Sequence, residues 1–363
     1  MKKNFLLFAI ALLATTCVFN SCKEDEENFN DEGSKVSLPD ERIFILNEGS
    51  YDGNNSCIDF YAPNNDLNSE NKSFISNFNF TQNDIKLGDT GQDIIVYENN
   101  IFVSVFGSSL LVKYNSALVE QGRVQFSEQD GQPRYLTAKD NKIYVTLYSG
   151  KIAKIDAKTL IIEDYITVGK NPEEITQDAN NLYVVNSGWG ADSTISVVSI
   201  KDFSTIKTIN VENNPFSVKY SNGKLFVLSY GKFYDYPLQM VDIYNNTVET
   251  IGNGVKIAEN DGILYVVQSI TDWATNKVEN NFYSYNVQNN QKIEQSFIDI
   301  SDCEEIASNS IYMFEINPKN GDFYISTSDF VTNGIVYRFN KNGKLITKFT
   351  SGGINPSHAV FIY

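Results

Sequence analysis

Seven short apolar segments recur along the chain, each centred on an aromatic residue and each closed by turn-forming residues. They are Ile43-Phe44-Ile45, Ile101-Phe102-Val103, Ile143-Tyr144-Val145, Leu182-Tyr183-Val184, Leu225-Phe226-Val227, Leu264-Tyr265-Val266 and Phe323-Tyr324-Ile325. The four interior steps are close to the roughly 40–45 residues of a propeller blade, and helical repeats of similar length would need long 3.6-period stretches that are missing here. The clearest copy spans 169–211. A turn at Gly169-Lys170-Asn171-Pro172 opens a first strand over 174–177, and strands follow over 182–186, 194–200 and 205–211. Four strands joined by tight turns form one antiparallel blade. The long spacing in the last two full units is assigned to inserted polar loops at 276–281 and 317–321.

The chain ends complete the count. No opening strand precedes Arg42, whereas the chain finishes with Asn355-Pro356-Ser357-His358-Ala359-Val360-Phe361-Ile362-Tyr363, an opening strand with nothing after it. Pairing this strand with 43–46 builds one blade from both ends and removes the open sheet edges of a linear array. The expected fold is therefore all-β: a seven-bladed β-propeller over 42–363, closed by the C-terminal strand in the N-terminal blade.

Residues 1–21 read as a signal peptide. Lys2-Lys3 precede an apolar run over 5–13 that is short for a membrane span. Ser21-Cys22 matches the end of a bacterial lipoprotein cleavage site, which makes Cys22 the expected lipidation site and membrane anchor. The acidic run Glu24-Asp25-Glu26-Glu27 and the polar stretch behind it predict a flexible acidic tether over 22–41.

Composition narrows the partners. The 363 residues are 42% hydrophobic and carry a formal charge of −16, and loss of 1–21 removes two lysines and no acid. Nucleic acid is excluded as a partner because its phosphates need basic patches. Beyond Cys22 the mature chain holds only Cys57 and Cys303, in units that flank the closure; a disulfide between them is geometrically conceivable, but two free or buried thiols are expected, since a core this large needs no staple.

In a four-stranded blade, the loop after the second strand and the turn before the first emerge on one face of the disc. Every unit places an aromatic residue in that loop: Tyr51, Phe106, Tyr148, Trp189, Tyr230, Trp273 and Phe330. Rings at such positions also serve as core. Seven in Gly/Ser-rich loops point instead to a ligand-binding face, with Asn47, Glu48, Gln92, Gln132, Arg134, Asn214 and His358 as polar contacts between them. Polar turn residues have a structural use as well, as good turn formers. His358 is the only histidine, and without a Cys or carboxylate cluster it does not make a metal site. Nucleophile-elbow, zinc-protease, dinucleotide and P-loop motifs are absent, so no catalytic residue is assigned and no enzyme activity is expected.

The lipoprotein start, the acidic run behind Cys22, the Ile45-Leu46-Asn47-Glu48-Gly49 segment and the repeated Pro-containing turns before the blades together resemble the YncE-like seven-bladed propellers. Among these the chain is most similar to the BtuG-type surface lipoproteins of Bacteroidetes. That resemblance implies a protein on the extracellular face of the outer membrane that captures vitamin B12 (cobalamin) or another corrinoid and passes it to a TonB-dependent outer-membrane transporter. It implies no cofactor of its own. A surface glycan-binding propeller is the alternative, because Trp and Tyr also stack on sugars.

Overall fold

The second strands of the blades are apolar along almost their whole length, as in Leu182–Asn186 within Asn181–Asn186 and its counterpart Lys224–Ser229, because both sheet faces are covered by neighbouring blades. A computed structural model, which describes residues 29–64, 73–272, 275 and 277–363, shows where they sit. Seven four-stranded antiparallel sheets form the seven blades. Blade 1 combines Pro356–Ile362, Arg42–Asn47, Cys57–Tyr61 and Phe74–Ile75, with Phe44 opposite Val360 and Leu46 opposite His358. Blades 2 to 7 follow in chain order, with first strands Gly91–Tyr97, Pro133–Lys139, Pro172–Gln177, Pro215–Ser221, Lys256–Asn260 and Ser310–Ile316. The expected ring and its closure are both present.

Apolar side chains fill the spaces between blades. Phe226, Leu228, Leu238 and Leu264, all fully buried, belong to one such cluster spanning blades 5 and 6. At about 1.5–3 kcal/mol per large side chain removed from water, these seams hold neighbouring blades together. The first strands add a second seam, since each touches the next in a closed cycle around the axis. Six of the seven ladders joining first to second strands slip by a residue or more at the end where the first strand begins, for example between Pro133 and Leu136, Pro172 and Ile175, and Ile311 and Met313. Such bulges re-aim side chains. Here they do so at one mouth of the central channel.

Three expectations are corrected. The free tether does not extend through 29–41, where the chain is strapped against the opposite face of blades 1 and 2. Phe29, Val36 and Leu38 pack on the blade 1 and 2 core, and Asp31 accepts two hydrogen bonds from the guanidinium of Arg42, at 2.5 and 2.9 Å. Arg42 also donates to the carbonyls of Pro39 and Ser116. Polar composition concealed this because the bonds come from distant residues. Secondly, 277–281 is no loop: Ile263–Asp272 and Lys277–Asn286 pair along a ten-residue hairpin. Thirdly, 317–321 is an ordinary turn closed from Gly321 N to Asn317 O, and the extra chain before blade 7 lies in 294–309, with a short 3-10 helix at Glu304–Ala307. Cys57 and Cys303 are unpaired and buried. The signal peptide expected at 1–21, the lipidation expected at Cys22 and the acidic run lie outside the described residues.

Candidate functional site

In blades 2 to 5 the loop after the second strand is stitched to the turn before the first strand of the same blade. Phe106 N donates to Thr90 O, Tyr148 N to Gln132 O, Ser187 N to Asn171 O and Tyr230 N to Asn214 O. The loop rings and the bulged starts of the first strands thus share one face, the mouth. Two residues follow each turn where the first strands open at that mouth: Gln92-Asp93, Arg134-Tyr135, Glu173-Glu174, Phe216-Ser217, Val255-Lys256, Tyr312-Met313 and Ser357-His358.

On blades 2 to 4 they form one network. Arg134 donates to Glu173 Oε2 at 2.9 and 2.6 Å and also to Gln92 Oε1. Tyr148 donates to Glu173 Oε1 at 2.7 Å, and the indole N–H of Trp189 donates to the Tyr148 hydroxyl at 3.3 Å. Above this, Phe106, Tyr148 and Trp189 meet edge to face in series, with centroids 5.3 and 5.8 Å apart, and the Arg134 guanidinium lies 4.8 Å from the Tyr148 ring centre and 5.3 Å from that of Phe106. Trp189 remains 72% exposed. Burial opposes the charge on Arg134, but Glu173 overcomes it and holds the pKa above the usual arginine value; burial also pushes Tyr148 up.

Charges continue around the channel. His358 shares a hydrogen bond between its Nδ1 and Glu315 Oε1 at 3.0 Å and lies 4.0 Å from Asp93. Burial raises Asp93 to about 6, with His358 pulling the other way. Burial works against the His358 cation too, yet Glu315 and Asp93 raise its pKa. Glu174 pairs with Lys219 at 2.5 Å and accepts Val218 N at 2.8 Å. Tyr312 donates to Glu48; desolvation raises the Glu48 carboxyl and lowers Lys256.

The predicted residues therefore divide. Phe106, Tyr148, Trp189, Gln92 and Arg134 converge on one shelf, and Glu48 and His358 line the channel. Tyr230 belongs to a separate cluster with Phe216, Tyr234 and Tyr236, and Phe330 packs edge-on against Tyr312. Tyr51 is 70% exposed and meets no other ring among the described residues. Asn47 is not a mouth residue: fully buried within blade 1, it donates to Asp59 at 2.8 Å, because the last residue of its strand points between sheets. Gln132 and Asn214 act through their carbonyls in turns. Trp273 lies outside the described residues. Glu173, Glu174, Tyr312, Glu315, Lys219 and Lys256 were missed, although the recurring Pro-x-x-apolar pattern at Pro133, Pro172, Pro215 and Pro356 marks the two mouth positions of four blades. Among the described residues no group of three or more His, Cys, Asp or Glu side chains could hold a metal ion.

This ring of blades places the chain in the propeller class, and residues 41–362 match the family described as a domain of unknown function, DUF5074. The chain belongs to that family. No curated protein matches it in sequence. Solved structures similar in fold include hydrazine synthase of Kuenenia stuttgartiensis (TM-score 0.60, 14% identity, covering 72% of this chain and 85% of that one). Another is a functionally unknown protein of Desulfotomaculum acetoxidans (0.60, 11%, 89% and 99%). The WD40 repeats of RRP9 are a third (0.55, 9%, 74% and 82%). Identities this low speak to the fold alone.

Proposed function

We propose that this protein is a non-enzymatic capture protein for vitamin B12 or a related corrinoid, held by Cys22 on the extracellular face of the outer membrane and handing its ligand to a TonB-dependent transporter. The observation that carries the reading is the shelf of Phe106, Tyr148 and Trp189 braced by Arg134 and Glu173 at the channel mouth. A corrinoid is broad, apolar at its edges and rimmed with amides. Such a ligand needs wide ring surfaces and fixed hydrogen-bonding groups, and both are supplied by side chains whose positions are already set, so little ordering entropy is lost on binding. The sequence resemblance supports the choice of ligand. The surface glycan reading draws on the same rings.

Calorimetric titration of the mature protein with cyanocobalamin and with cobinamide tests the proposal. Saturable binding is expected, weakened about tenfold, or roughly 1.4 kcal/mol, by Trp189→Ala. Absence of heat with both corrinoids, or an affinity indifferent to Trp189→Ala, overturns it; binding of oligosaccharides at the shelf in their place establishes the glycan reading.

A further inference from the structure

A cleft of about 270 Å³ opens on the mouth face between blades 5 and 6, apart from the shelf. One wall is the loop between Lys224–Ser229 and Pro237–Asp242. The other is the blade 6 hairpin, whose second strand has ten residues where those of blades 2 to 5 have six; Ser269 and Ile270 come from that extension. The loop is built into the fold. Tyr236 N donates to Tyr230 O, Gly254 N to Tyr236 O at 2.9 Å, and Asn253 Nδ2 to Asp235 O at 2.6 Å. These bonds hold Tyr234 and Tyr236 at φ 56° and 50°, a left-handed conformation unfavourable for bulky side chains and kept where a structure over-determines it. Asp235 lines the cleft with no cationic partner among the described residues, and the side chains of Gln268 and Ser269 carry no hydrogen bond to them.

From this geometry we infer a second binding site, specific for a neutral sugar ring. A tyrosine ring offers a flat apolar face to the C–H side of a sugar, while a carboxylate, an amide and a hydroxyl, all without a partner among the described residues, match its hydroxyl groups. The volume falls below the roughly 300–1,000 Å³ of drug-sized pockets, which suits a single ring. Gln268 and Ser269 favour a polyhydroxylated ligand over an organic cation, which would use the rings and Asp235 only. The site stands independently of corrinoid capture at the shelf. Its test is titration with methyl glycosides of glucose, galactose, mannose and N-acetylglucosamine, followed by saturation-transfer NMR. At least one glycoside is expected to bind saturably, with affinity reduced about fivefold or more in Gln268→Ala and in Asp235→Ala, and with cyanocobalamin titration and thermal melting unchanged in Gln268→Ala. No saturable glycoside binding, binding indifferent to both substitutions, or binding of choline in place of every glycoside overturns the inference.

Discussion

The two halves of the mouth are built on opposite plans. Blades 2 to 4 hold their rings with charge: Arg134, Glu173, Tyr148 and Trp189 are bonded in series, and each polar group has a partner. Blades 5 and 6 hold theirs with backbone. Tyr234 and Tyr236 meet the ring of Tyr230, and left-handed φ angles present them beside polar side chains that have no hydrogen-bond partner among the described residues. A satisfied network is rigid and costly to break. The strained loop, by contrast, leaves its hydrogen-bonding capacity for something from outside.

The largest expected effect breaks the first half. Arg134→Met leaves Glu173 buried without its cation and should cost about 3–5 kcal/mol in urea unfolding, whereas Tyr234→Ala, at an exposed ring, should stay within about 0.5 kcal/mol. Equal costs would erase the contrast. A smaller effect sharpens the second half. At Gly254 an added Cβ would lie 2.6 Å from Val266 Cγ1, so Gly254→Ala should destabilise by about 1–3 kcal/mol through overpacking and distort the sugar site without altering corrinoid titration.

The smallest effect concerns the channel beneath the mouth. His358, on blade 1, bonds Glu315 of blade 7 and lies edge-on to Tyr135 of blade 3 with centroids 6.3 Å apart. Its folded pKa is raised, so its stabilising contribution is complete below about 6.5 and fades as the pH rises through the raised value. Asp93, also raised, to about 6, acts with the same sign over a lower window, losing its contribution as pH climbs from about 4 to 6. The advantage of the wild type over His358→Gln in thermal melting should therefore be larger at about pH 5.5 than at about pH 8.5. A gap that grows with pH would refute the assignment.

The ring was legible because strand periodicity and turn residues are local signals: seven apolar triplets and an orphan strand at Pro356 suffice to count blades and close them. The shelf was half legible. Phe106, Tyr148 and Trp189 stand out in loops of small residues, but Glu173 and Tyr312 sit inside strands whose bulges decide where they point, and a bulge is invisible in composition. Asn47 failed for the complementary reason: at a strand end, a shift of one residue separates a surface contact from a buried one. The docked segment 29–41 and the hairpin over 277–281 were hidden because polar, Asn-rich chain looks the same whether or not distant backbone bonds it.

That docked segment also decides how the ring bears load. Tension applied at Phe29 reaches blade 1 through the Asp31 fork on Arg42, and beyond it the strand Arg42–Asn47 is laced on both sides, to Cys57–Tyr61 and to Pro356–Ile362. Pulled along its axis, such a strand must shear both rows of bonds together and cannot be peeled one bond at a time. The strap therefore works as a strain relief, yielding first and sparing the joint where the two ends of the chain meet.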